Sequence, residues 1–225
     1  MNSKRIVCLA NSRKLSGRCV AGRVFNGKQA GEWVRPVSAR ENEEVSEYER
    51  QYEDGSDPRV LDIIDVPLIK PTPKHFQQEN WLLDPDKYWT IVGRMKWTAL
   101  VALVEDPARL WINESNTYHG LNDQMSLETA QKLKSSLVLI HVDQVVLRVF
   151  QPGAAFGDSK RRVQAQFEHL GEPYWLFVTD PGIEKTYKAQ GEGDYDIGEC
   201  CLTISIGEPY KGNCYKLVAA IILKE

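Results

Sequence analysis

Six apolar segments crowd into the last ninety residues: LVLIHV, QVVLRVF, KRRVQAQFEHL, YWLFVTDP, CCLTISIG and YKLVAAIIL, with turn signals between them. In KRRVQAQFEH the alternation is clean. Val163, Ala165 and Phe167 fall on one face, and Arg162, Gln164, Gln166 and Glu168 on the other. A period of two marks strands that bury a single face. Strands this short and this evenly spaced predict a small closed barrel rather than an open sheet. An internal echo agrees, because GEPYW at 171–175 and GEPYK at 207–211 each follow a strand-like run.

The first forty residues carry the same signature. RIVCLA, RCVAGRVF and EWVRPVS read as a three-stranded antiparallel meander, joined through NSRKLSG and through NGKQAG with its Asn26-Gly27 turn pair. Residues 41–53 turn Glu-rich and predict a helix, which DGSDP ends. RVLDIIDVPLIKP and YWTIVGRM return to strand, with the irregular, aromatic stretch PTPKHFQQENWLLDPDKYW between them. Trp97, Leu100, Val101 and Val104 share one face of a helix predicted over Lys96–Glu105, and a second short helix starts behind a Ser126 cap. The expectation is a mainly β chain of two tandem small Greek-key barrels of the oligonucleotide-binding (OB) type, joined by a helical, loop-rich bridge. The barrels fall at 1–95 and 137–225 and the bridge at 96–136. An SH3-like barrel or one split sandwich fits the same strand count.

Composition removes several classes of function. The longest apolar run, Leu217 to Leu223, is far too short to span a bilayer, and the first residues lack the apolar core of a secretory signal. A cytoplasmic protein with no membrane partner is expected. Five cysteines, Cys8, Cys19, Cys200, Cys201 and Cys214, include no pair at two-residue spacing and read as reduced thiols. His75, His119, His141 and His169 are scattered, so neither metal nor cofactor is expected. Asp62 and Asp65 stand three apart on a strand and face opposite sides, a poor acid–base pair. Nothing orients Lys14 toward Ser12 as a base. The chain reads as non-enzymatic.

Charge is the informative feature. Residues 1–40 hold nine basic side chains and one acid, Glu32, although the whole chain has a net charge of −3. The next seventeen residues hold eight acids and only Arg50. Such separation marks a local anion site, unless the two segments pair with each other in space. The NSRKLSG loop offers amides, hydroxyls and two cations to a phosphate, and Gly17 allows close backbone approach. Asn11, Ser12, Arg13, Lys14, Ser16, Arg18 and Arg35 are therefore the candidate contacts, with Arg35 placed beside Trp33 to stack on a base or grip a phosphate. Lys160, Arg161 and Arg162 open a strand in the second block as weaker candidates. Trp97 and Trp175 read as core, and Trp81, Tyr88, Trp89 and Tyr118 as junction packing.

KRIVCLANSRKLSGRCVAGR followed by WVRPVSAR resembles the opening of the dual OB-containing domain family of prokaryotes. So do YEDGSDPRVLDIIDVPLIKPTPKHFQQENWLLDP and the closing ISIGEPYKGNCYKLVAAII. The resemblance implies two tandem OB barrels, a nucleic-acid ligand and a setting in bacterial conflict or antiviral defence, and it brings no catalytic activity. Single-stranded DNA or RNA is the expected ligand. Two alternatives stand beside it. One is a nucleotide sensor with its ligand held between the barrels by Arg13, Arg35 and junction aromatics. The other is an adaptor for a partner protein of the same gene neighbourhood.

Overall fold

A computed structural model describes residues 2–27 and 30–224. Lys28, one of the nine early cations, and part of the NGKQAG turn lie outside the described residues. The chain divides into two compact units, Met1–Leu103 with Lys134–Ser136, and Val104–Leu133 with Leu137–Glu225.

The first unit is built on β1 (Asn2–Lys14), β2 (Gly17–Phe25), β3 (Ala30–Val37), β4 (Asp62–Pro71), β5 (Asn80–Leu83) and β6 (Thr90–Arg94). β1, β2 and β3 form the expected meander. Pairing then runs from β3 to β5 in parallel, from β5 to β4, and from β4 back to β1. The circuit closes at Ile6 and Val7. These face Val24 and Arg23 of β2 on one side and Ile64 and Ile63 of β4 on the other. A five-stranded closed barrel in the order 1-2-3-5-4 is the OB-type Greek key, and β6 adds to its β4 edge. Closure brings backbones together: a methyl group on Gly22 would lie 2.2 Å from the Val7 carbonyl oxygen. Ile6, Cys8, Val20, Val34, Ile64, Val66 and Trp89 fill the interior. Each such side chain contributes roughly 1.5–3 kcal/mol on burial.

Several local expectations need correction. The stretch read as irregular holds β5, whose four residues are strand because β3 and β4 flank them. The Glu-rich helix shrinks to one turn, α1 (Glu47–Arg50), closed by a Ser46–Glu49 capping box, and Arg50 turns inward onto Asp57 and the Val45 carbonyl. The helix predicted over 96–105 is one turn, α2 (Trp97–Leu100), followed by a tighter turn over Val101–Leu103. Tightening rotates the buried stripe, so Leu100 and Leu103 go inside and Val101 stays exposed. Trp89 is core rather than junction packing.

The second unit contains β7 (Gln124–Ser126), α3 (Leu127–Ala130) behind its Ser126 cap, β8 (Leu137–Val142), β9 (Val145–Phe150), β10 (Arg162–His169) and β11 (Glu172–Val178). α4 (Pro181–Gln190), β12 (Gly193–Asp196), β13 (Cys200–Ile206) and β14 (Asn213–Leu223) follow. α4 interrupts the stretch expected to be all strand. Asp180 caps it, accepting from the amides of Gly182 and Ile183 at 2.9 and 3.2 Å, with Pro181 in its first turn. The ladder runs β12-β9-β10-β11-β14-β13-β8, with β11 and β14 parallel, and β7 pairs with β14. It does not close into a barrel, contrary to expectation. Asp143 and Gln144 separate β8 from β9, and β12 occupies the β9 edge that closure would need. The inward residues of β8 to β11, β13 and β14 still form one core, from Val138 and Leu147 to Phe167, Leu176, Leu202 and Val218. Among the described residues no helix is long and apolar enough to cross a membrane.

Candidate nucleic-acid interface

The early cations meet the chain's own acids. In the β1–β2 hairpin Lys14 faces Gly17 and Arg13 faces Arg18, so two guanidinium side chains stand on neighbouring strands. The acidic segment runs alongside. Arg18 and Val45 exchange backbone hydrogen bonds of 2.9 Å each, and the Ser16 hydroxyl donates to the Glu44 carboxylate at 3.3 Å. Contact is so close that a methyl group on Gly17 would sit 2.7 Å from Glu44 Cγ. Arg40 pairs with Glu49, Lys74 with Glu43 and Lys4 with Glu32, while Arg5 makes a two-pronged pair with Asp65 at 2.7 Å. That contact holds the Asp65 carboxyl below the usual carboxylate range.

Asn11 donates to the Pro58 carbonyl at 2.8 Å, and buried Ser12 donates to the Cys19 carbonyl at 3.3 Å. Arg35 points inward. Only 4% exposed, it pairs with equally buried Glu79 at 3.1 Å and donates to Ser136 at 2.8 Å and Asn80 at 3.3 Å. Asn11, Ser12, Arg13, Lys14, Ser16 and Arg18 thus gather on one hairpin, and Arg35 does not join them.

A different surface combines cations with aromatic rings. On β9, β10 and β11 the inward positions Leu147, Val149, Val163, Ala165, Tyr174 and Leu176 belong to the core. The outward positions are Arg148 and Phe150, then Arg162, Gln164 and Gln166, then Trp175 and Phe177. Antiparallel register sets Arg162 against Phe150, Gln164 against both Arg148 and Phe177, and Gln166 against Trp175. The Phe150 and Phe177 rings lie 6.2 Å apart and 15° from parallel. Arg148 stands 5.1 Å over Phe150, with Asp194 at 4.0 Å, and Arg162 stands 4.6 Å over Phe177. Trp175, expected in the core, is 39% exposed because the register turns it outward.

The segment 117–123 borders this face. Its Asp123 carboxylate accepts from the Thr117 amide at 2.8 Å and hydroxyl at 2.6 Å. Gly120 leaves no room for a side chain, since a methyl group there would lie 1.9 Å from Asp123 Oδ2. Leu121 and Trp175 exchange backbone hydrogen bonds of 3.3 and 3.1 Å. His119 bonds the Pro152 carbonyl at 2.9 Å, packs edge-on against Phe150 and receives Gln164 on its own carbonyl at 2.7 Å. Tyr118 is left 95% exposed.

A cleft of about 480 Å³ opens here, lined by Tyr118, His119, Arg162, Phe177, Tyr215 and Lys216 among others. Burial pushes the Lys216 amine down to about 8, with Asp123 pulling the other way. Lys216 Nζ donates to Asn113 at 2.8 Å and lies 5.3 Å from the Tyr174 ring.

Arg148, Phe150, Tyr118, His119 and Phe177 were not among the sequence candidates for an anion or base. The signal for the first two was present, because QVVLRVF sets them in alternation with Val145, Leu147 and Val149. His141 pairs with Glu199 at 3.0 Å and His169 bonds the Pro107 carbonyl at 2.8 Å, which gives both structural work. All five thiols are free, four of them buried and Cys19 half-buried. Among the described residues no three His, Cys, Asp or Glu side chains gather to hold a metal. No curated protein and no solved structure matches the chain. Residues 4–221 match the model of the dual OB-containing domain, and the chain belongs to that family.

Proposed function

We propose that this chain binds single-stranded nucleic acid through the outward face of β9, β10 and β11, within the defence setting to which the family is assigned. The observation that carries the reading is the pair of arginine-covered rings, Arg148 on Phe150 and Arg162 on Phe177. A single strand needs cations for its phosphates and flat rings for its bases, and each stacked base contributes about 1–3 kcal/mol. Buried Gln164, bonded to the His119 carbonyl and accepting from Gln166, ties the strand face to the bordering loop. Connectivity supports the choice of face. With β8 and β9 taken as one strand broken at Asp143–Gln144, the second sheet follows the order of the closed barrel, parallel pair included. Its β10 and β11 then correspond to the two strands on which OB folds bind oligonucleotides. The hairpin of Arg13, Lys14 and Arg18 serves as a secondary, electrostatic contact, since its neighbouring carboxylates already offset part of its charge.

Titrating a labelled single-stranded oligonucleotide at several salt concentrations tests the proposal. Affinity should fall linearly on a log–log plot of binding constant against salt. Arg148→Ala should lower that slope by about one, and Phe150→Ala should weaken binding roughly tenfold at every salt concentration. Wild-type affinity indifferent to salt, or both variants binding as wild type does, refutes it.

A further inference from the structure

The cleft has a composition that a strand-binding face does not require. Its volume of about 480 Å³ falls within the roughly 300–1,000 Å³ of small-molecule sites and suits one nucleotide rather than a run of them. Its walls come from four places: the 117–123 loop, Pro152 of the β9–β10 connection, the Arg162–Phe177 end of the β10–β11 face, and Gly207 and Glu208 with Tyr215 and Leu217 of the β13–β14 arm. Gly207 donates its amide to the Tyr215 carbonyl at 2.9 Å, which ties that wall together. Tyr118 sits at the rim, exposed, on a loop that the Asp123–Thr117 bonds and the tight fit at Gly120 hold in shape. A large ring presented to water on a clamped loop is poised to cover something flat.

We infer that this cleft holds a single nucleotide, free or as the end of a strand, with its base between Phe177 and Tyr118 and its phosphate on Arg162. The inference rests on the proposed nucleic-acid reading and goes further by assigning a separate one-nucleotide subsite. The chemistry matches part by part. A nucleobase needs two flat faces, for which Tyr118 stands on one side and the Arg162 guanidinium laid along the Phe177 ring at 4.6 Å on the other, and a phosphate needs the planar donors that a guanidinium carries.

Isothermal titration of the full chain with the four ribonucleoside 5′-monophosphates is the direct measurement. It is paired with binding of linear and covalently circular single strands of one sequence. Tyr118→Ala is the informative variant, because so exposed a ring contributes little to folding. Expected are saturable monophosphate binding and a loss of roughly tenfold or more in Tyr118→Ala. A linear strand that outbinds its circular form, with the excess removed by monophosphate, identifies the strand end as the source. Equal binding of the two forms alongside monophosphate binding identifies the free nucleotide. No monophosphate uptake, with linear and circular strands bound equally by wild type and Tyr118→Ala, overturns the subsite and leaves the strand-binding face standing. Monophosphate uptake with no oligonucleotide binding does the reverse.

Discussion

Lys216→Met should make the second unit more stable, although it deletes a hydrogen-bonded side chain. Lys216 is 1% exposed, and burial drops its amine from 10.5 to about 8. At about 1.4 kcal/mol per unit, holding that ammonium in the fold costs about 3 kcal/mol. The sign follows from proton counting. The folded value lies below the unfolded one, so between about pH 8 and 10.5 the unfolded chain binds more protons and stability rises with pH. Below pH 8 both states are charged and the penalty is present in full. Removing the amine recovers it, less about 1–3 kcal/mol for the Asn113 carbonyl left without its donor. The net expectation is a gain of about 1 kcal/mol at pH 7. Urea unfolding followed by fluorine NMR of 5-fluorotryptophan separates the units, because Trp111 and Trp175 both belong to the second. The gap between variant and wild type should shrink as pH rises from 8 to 10. Taking the difference cancels the buried thiols Cys201 and Cys214, which burial pushes up to about 11 and which act in the opposite direction. A loss above 2 kcal/mol at pH 7, or a gap that ignores pH, would falsify the reasoning.

Two further outcomes test other parts of the structure. Arg35→Met alone leaves Glu79 buried without its cation and should cost about 3–5 kcal/mol in the first unit, whereas Arg35→Met with Glu79→Leu should recover most of that. Oligonucleotide affinity of the double variant should equal wild type, and a tenfold fall would return Arg35 to the interface. Gly120→Ala should break the Asp123–Thr117 latch, seen as faster amide exchange across 117–123 with β10 and β11 unchanged. Unaltered exchange would show that the loop does not depend on that close approach.

Much of the architecture was legible because it rests on local patterns. Alternation in KRRVQAQFEH assigned Val163, Ala165 and Phe167 to the core, and all three are there. What escaped depends on partners distant in the chain. NWLL is strand only because Arg35 and Asn80 meet in parallel register. Tyr174 and Trp175 are equally apolar to the eye, and pairing with β10 alone decides that Trp175 faces outward. α4 was a different failure. Asp180-Pro181 is a helix start as well as a turn signal, and the start prevailed because Asp180 also accepts from the Ile221 amide at 3.3 Å.

The early run of cations shows why charge along a chain is a poor map of charge in space. Nine basic residues in forty look like a phosphate site, yet in the fold Lys4 stands against Glu32, Arg5 against Asp65 and Arg40 against Glu49. Exposed pairs of this kind contribute little to stability, typically under about 1 kcal/mol each. Their larger consequence is electrostatic, because a cation with a carboxylate beside it attracts a phosphate less. In the second unit two cations, Arg148 and Arg162, are each laid over a ring on an outward strand position, with Asp194 4.0 Å from Arg148. A guanidinium held against a ring keeps its charge and its in-plane donors, and the ring fixes its orientation. On that ground the less basic half of the chain is the better place to look for its ligand.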